Sequence, residues 1–235
     1  MKRFSVLNFV FCVVGVLVLS RSASREILKI VVDDTIQPIS EEYIARGIAE
    51  AARRNDQAVL IEINTPGGLV DSTRQIIEHI TTSAVPVIIY VTPSGSRAAS
   101  AGFFILESAD IAAMAPGTNT GAAHPVILGG GKMDDVMKEK LENDAAALMR
   151  SVASRRGRNV EVAESTVRQS KSFTDQEALS QHLIDYVASN ETDLFKQIEG
   201  KSISQEQQAL VDKAKQFYGW YDYLDAYRML RAVTQ

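Results

Sequence analysis

Cysteine, histidine and aromatic residues are scarce in this chain: one Cys, three His and 7% Phe, Trp and Tyr in 235 residues. The single cysteine, Cys12, sits inside an N-terminal apolar run, so the rest of the chain has no disulfide and no thiolate metal ligand. His79, His124 and His182 have no partner carboxylates at ligand spacing, which argues against a metal site. A basic excess is missing too. The net charge is −4, and no Lys/Arg cluster is interleaved with aromatics, which argues against a nucleic-acid partner. Neither the dinucleotide glycine pattern nor a Walker-type Gly-Lys-Ser occurs, so no phosphate-bearing cofactor is expected. No repeat is visible, and beyond residue 24 no apolar stretch is long enough to span a membrane.

What is present begins with an address. Lys2 and Arg3 precede the uncharged residues 6–19, and Ser20-Arg21-Ser22-Ala23-Ser24 offers small residues for cleavage. Residues 1–24 read as a secretory signal, with an uncleaved anchor as the alternative; either places the domain outside the cytoplasm, in a periplasmic or other extracytoplasmic space. Residues 25–200 then form one domain. Residues 201–235 form a tail, polar at first and then crowded with Phe217, Tyr218, Trp220, Tyr221, Tyr223 and Tyr227 among charges.

Within the domain, apolar runs at 26–32, 58–63, 87–91 and 111–114 read as strands, each followed by helical spacing or a loop. Ser40-Glu41-Glu42 opens the first helix, with Ile44, Ile48 and Ala51 on one face. Val70, Thr73, Ile76, Ile77 and Ile80 mark the second, and a long helix is expected from about 133 to 156, ended by Gly157. Thr174 to Glu177 is a capping box, and 184–187 a last strand. Near-continuous apolar strands alternating with helices predict an α/β fold of stacked βαβ units, its sheet buried on both faces and its functional loops at one edge.

Two loops stand out there. Pro93-Ser94-Gly95-Ser96-Arg97-Ala98-Ala99-Ser100-Ala101-Gly102 leaves an apolar strand and enters a helix, placing Ser100 among tiny neighbours at a predicted helix N-terminus, where a nucleophile is on display. Ser94 and Ser96 lie nearer the turn. Thr65-Pro66-Gly67-Gly68 also joins a strand to a helix, and its glycines bare backbone N–H groups that can face an oxyanion. The same residues serve equally well as a tight turn. For a base there are two rivals: Lys140 on the long helix, beside Met137 and Leu141, and His124 in Gly121-Ala122-Ala123-His124-Pro125. Together these are the parts of acyl transfer.

In order along the chain, Glu62 to Gly68, Val87 to Val91, Ala98 to Gly102, Met114 to Pro125 and Lys140 to Asp144 with Arg156-Gly157-Arg158-Asn159 resemble the N-terminal ClpP-like protease domain of NfeD proteins, the membrane-associated partners of stomatin-type proteins. The resemblance implies a ClpP/crotonase-like fold and an ATP-independent serine endopeptidase. Its Ser–Lys dyad carries over to Ser100 and Lys140, with Gly67, Gly68 and Ala101 as oxyanion or substrate contacts and no metal or cofactor. His124 stays open as the base, because related ClpP proteins use a histidine. Similar proteins cut apolar segments of stomatin- or prohibitin-like membrane proteins, and related folds form homodimers or larger homo-oligomers. A non-catalytic scaffold for a stomatin-like partner and a crotonase-like acyl-CoA enzyme are the competing readings.

Overall fold

The computed structural model describes residues 26–126 and 134–199; the expected leader and the aromatic tail lie outside them. Strands β1 (Ile27–Asp33), β2 (Ala58–Asn64), β3 (Val87–Val91), β5 (Ile111–Met114) and β8 (Tyr186–Val187) form one parallel sheet in the order β1-β2-β3-β5-β8. Side chains alternate between its faces with the strand period of two. Val59, Ile61 and Ile63 of β2 and Val87, Ile89 and Val91 of β3 point to one face, whereas Leu60, Ile88 and Tyr90 point to the other. Both faces are covered, as the unbroken apolar runs require.

The larger core lies under helices α1 (Pro38–Arg54), α2 (Val70–Thr81), α3 (Ala101–Ser108) and α4 (Asp135–Arg155), with Ile44, Ile76, Phe103 and Met149 fully buried in it. The opposite face rests on α7 (Glu191–Ile198) through Leu194 and Ile198, and the Tyr90 hydroxyl donates to the Ala188 carbonyl at 2.8 Å. Ser40, expected to open α1, stands inside it: the helix starts at Pro38, and the Gln37 N–H donates to Ser40 Oγ at 2.8 Å. Proline suits that first turn because its missing N–H is one the helix cannot use. The long helix begins at Asp135, with Asp134 accepting from the Met137 N–H as its cap.

A second, three-stranded sheet was not expected from the pattern. It consists of β4 (Arg97–Ala99), β6 (Asn119–Gly121) and β7 (Ser172–Thr174), and α5 (Val160–Arg168) and α6 (Asp175–Ser180) flank β7 in sequence. Isolated pairing of Thr65 with Ala98 joins it to the carboxyl end of β2. The functional loops therefore do gather at one edge of the main sheet.

The turn after α4 grips the far end of α3. Arg156 donates to the Ser108 carbonyl and to Asp110, while Arg158 donates to the Glu107 and Ala109 carbonyls and to Asp185. These are the carbonyls a helix leaves without partners at its C-terminus. The Glu107 side chain, beside Arg158, is fully buried with both carboxyl oxygens unpaired. Burial pushes it up to about 8 from 4.5, opposed by the nearby Arg158. Between those two values the folded state keeps a proton that the unfolded state has released. Stability from this group is thus complete below the lower value, falls as pH rises through the window, and levels off above the upper one. In urea unfolding at pH 5 and pH 8, the wild type is expected to lose a few kcal/mol, on the order of a unit-charge linkage, that Glu107→Gln does not lose.

Candidate active site

Ser100 ends the run of β4 and caps α3, with backbone angles of φ 53° and ψ −115°. A residue with a Cβ rarely adopts positive φ, and holding it there costs on the order of 1–3 kcal/mol. The surrounding ladder enforces it. Thr65 donates to the Arg97 carbonyl at 2.7 Å and accepts from the Ala99 N–H at 3.1 Å, and the Ser100 N–H donates to the Gly121 carbonyl at 2.8 Å. The chain must then reverse sharply to let α3 dive into the core, where every residue from Ala101 to Ser108 is buried. Ser100 itself stays half-buried, and its hydroxyl has no hydrogen-bond partner among the described residues. Ser94 lies in the exposed turn and Ser96 is buried behind it.

The glycine turn lies directly against this serine. A Cβ on Gly67, which has φ 122°, would come within 2.7 Å of Ser100 Cβ and 3.1 Å of its Oγ; one on Gly68 would strike the Ile36 carbonyl oxygen at 2.0 Å. Ile36 pairs on both sides of Gly68, donating to the Gly67 carbonyl and accepting from the Leu69 N–H, each at 2.8 Å. In that parallel pairing the N–H and C=O of Gly68 face away from Ile36, and Gly68 lines a cleft together with Ser100 and Ala101. Gly67 differs from its neighbour. Its N–H donates to Thr65 Oγ1 at 3.2 Å and is used inside the turn. Ala101 is the first residue of α3, so its N–H has no partner within the helix. The bare donors beside Ser100 are therefore Gly68 and Ala101, and Gly67 supplies close approach.

The cleft beyond them has a volume of about 110 Å³ and is lined by Val70, Phe104, Val126, Leu141 and Leu148, with Arg74 and Asp144 at its edge. Sequence reasoning did not pick out this lining. Its signal was there in α4, where Leu141, Asp144, Ala145 and Leu148 recur at three- and four-residue spacing on one face. Lys140 is exposed on α4 next to Leu141, and its ammonium makes no hydrogen bond or ion pair among the described residues. His124 follows Ala123 of the cleft wall, but its Nδ1 donates to the Val167 carbonyl at 2.8 Å, tying it to the end of α5. His79 pairs with Glu41 and His182 is exposed. Among the described residues, no three His, Cys, Asp or Glu side chains gather as a metal would need.

A methyl group at position 67 would press on the serine itself. Gly67→Ala is expected to lower the rate of fluorophosphonate labelling at Ser100 by about tenfold or more, from lost approach and from strain at positive φ, with the fold retained by circular dichroism.

Comparison with known proteins places the chain in a family. Residues 26–215 match the family model described as NfeD1b, N-terminal domain. The chain is 40% identical over 157 residues to the membrane-bound protease PH1510 of Pyrococcus horikoshii, covering 66% of this chain and 35% of that one. It is 32% identical over 133 residues to the membrane protein NfeD1b of Bacillus subtilis, covering 57% and 30%. It thus spans about a third of the length of these curated relatives. Among solved structures, the 1510-N membrane-bound stomatin-specific protease superposes with a TM-score of 0.69 at 33% identity. It does so both as a serine-to-alanine variant, covering 75% of this chain and 86% of that one, and as a lysine-to-alanine variant in complex with a substrate peptide, covering 76% and 82%. A further structure, the 1510-N membrane protease specific for a stomatin homolog from Pyrococcus horikoshii, also matches at a TM-score of 0.64. ClpP1 of Listeria monocytogenes, at 18% identity and a TM-score of 0.58 over 71% of this chain and 94% of that one, shares the fold. The expected ClpP-like α/β fold is borne out, and the chain belongs to the family of NfeD1b N-terminal domains.

Proposed function

We propose that the chain is an ATP-independent serine endopeptidase using Ser100 and Lys140. The observation that carries this is the unbonded Ser100 hydroxyl at a strained helix cap, set beside two bare N–H groups at the mouth of an apolar cleft. In the reaction, Ser100 Oγ attacks the scissile carbonyl carbon as its proton passes to the neutral amine of Lys140. The carbonyl oxygen gathers charge between the N–H groups of Gly68 and Ala101, and collapse of this intermediate breaks the C–N bond. The ammonium returns the proton to the leaving amine, and a water then releases the acyl group from Ser100. A lysine acts as a base only without its proton.

Support for Lys140 over His124 comes from their hydrogen bonds: Lys140 has no partner to displace among the described residues, whereas His124 Nδ1 is held by the Val167 carbonyl. The similarity to 1510-N, studied with a serine and a lysine replaced, supports the same pair. Aliphatic and aromatic lining favours an apolar residue at the scissile bond, as in a segment of a stomatin- or prohibitin-like membrane protein. Residues 25–200 would be the catalytic unit, exported by residues 1–24 and held near a membrane, working as a homodimer or larger homo-oligomer. No helix among the described residues is long and apolar enough to cross a membrane.

The test is cleavage of an apolar peptide by the wild type and single variants. Ser100→Ala is expected to lose about a thousandfold or more in kcat, Lys140→Ala a comparable amount, and His124→Ala little. Undiminished cleavage by Ser100→Ala would end the peptidase reading, and loss confined to His124→Ala would make the histidine the base. A wild type that cleaves nothing yet binds a stomatin-like protein would point to a scaffold.

A further inference from the structure

Two charged side chains, Arg74 of α2 and Asp144 of α4, line the mainly apolar cleft that also holds Ser100. They meet across it, with Arg74 Nη2 donating to Asp144 Oδ2 at 2.5 Å. Such a pair on a partly exposed surface adds little to stability. Its position on α4 is more telling. Asp144 lies one turn after Lys140, and i,i+4 side chains on a helix are neighbours. The other positions one turn from Lys140 are Val136, Met137 and Asn143, none of which carries charge. Asp144 is thus the one carboxylate that helical spacing brings to the lysine, and Arg74 occupies it.

We propose that Arg74 is a positioning residue that holds Asp144 away from Lys140, leaving the lysine without a counter-ion so that it can work as the neutral base; this rests on the Ser–Lys reading above. A carboxylate salt-bridged to an ammonium stabilises the protonated form, which cannot accept the serine proton. The other charged groups on the packed elements are engaged or exposed, Glu78 of α2 and Glu161 of α5 among the exposed ones. On α5, Arg168 binds Glu142, Asn143 and Glu164, and Glu164 also accepts from Arg150. On α3 the sole charge is Glu107, at the end away from Ser100. On α2, Asp71 is exposed in the first turn and His79 pairs with Glu41 near the last. On α4 itself, Glu139 neighbours Lys140 in sequence but points to another side of the helix.

The experiment uses the full chain and an internally quenched peptide of Leu, Ile, Val and Ala, with kcat and KM measured from pH 6 to 10 for Arg74→Ala, Arg74→Lys, Asp144→Asn and the Arg74→Ala/Asp144→Asn double variant. Arg74→Ala is expected to lower kcat at pH 7 roughly twofold with KM unchanged, and to move the acid limb of the profile alkaline by a few tenths of a unit. Arg74→Lys keeps the cation and stays close to wild type. Asp144→Asn removes the competitor, and adding it to Arg74→Ala restores the acid limb to its wild-type position. A double variant as impaired as Arg74→Ala would overturn the proposal, showing that Arg74 contacts substrate or merely straps α2 to α4. An unchanged Arg74→Ala in an active enzyme overturns it alone, whereas an inactive wild type overturns the peptidase reading together with it.

Discussion

The pairing of Thr65 with Arg97 and Ala99 is the constraint on which the site depends. It ties the small sheet across the carboxyl end of the large one, and the next ladder bond, from Ser100 to Gly121, leaves the serine no extended route onward. Ser100 therefore sits where two sheets and one helix all demand a different direction of the chain. Its positive φ is a result of that conflict. The cost, of the order of one or two ordinary hydrogen bonds, is spread over a ladder that the cores on both sides hold in place.

The same constraint explains the order of roles in the glycine turn. With Thr65 fixed, its hydroxyl is placed to take the Gly67 N–H, and Ile36 takes the groups on either side of Gly68. Of the turn's glycines, Gly68 is left with its N–H unbonded among the described residues, beside the cleft that Ser100 lines. One glycine gives room and the other gives a donor, although in sequence they are identical neighbours.

This is where the sequence is most and least legible. The main sheet was readable because β2 and β3 are short, rich in β-branched residues and almost wholly buried, and are bounded by turn residues. Ser100 was readable from its strand-to-helix setting and its small neighbours. β4, β6 and β7, three residues each, were not, because their pairing is set by long-range contacts with Thr65, Gly121 and Ser172 rather than by any local alternation. The same holds for the division of labour between Gly67 and Gly68, which needs the position of Ile36, and for Arg74, whose interest lies in a partner seventy residues away. The bounds of α4 were nearly right because Asp134 and Gly157 mark them chemically.

The grip of Arg156 and Arg158 on the end of α3 anchors one end of α4, and contacts from Arg74, Arg150 and Arg168 tie it down along its length. Lys140 stands fifteen residues from Arg155, roughly 22 Å away at the helical rise. The helix is thus pinned to α2, α3 and α5 at points spread over that span, and its register against the helix that Ser100 caps is set by arginines far from Ser100 as well as near it.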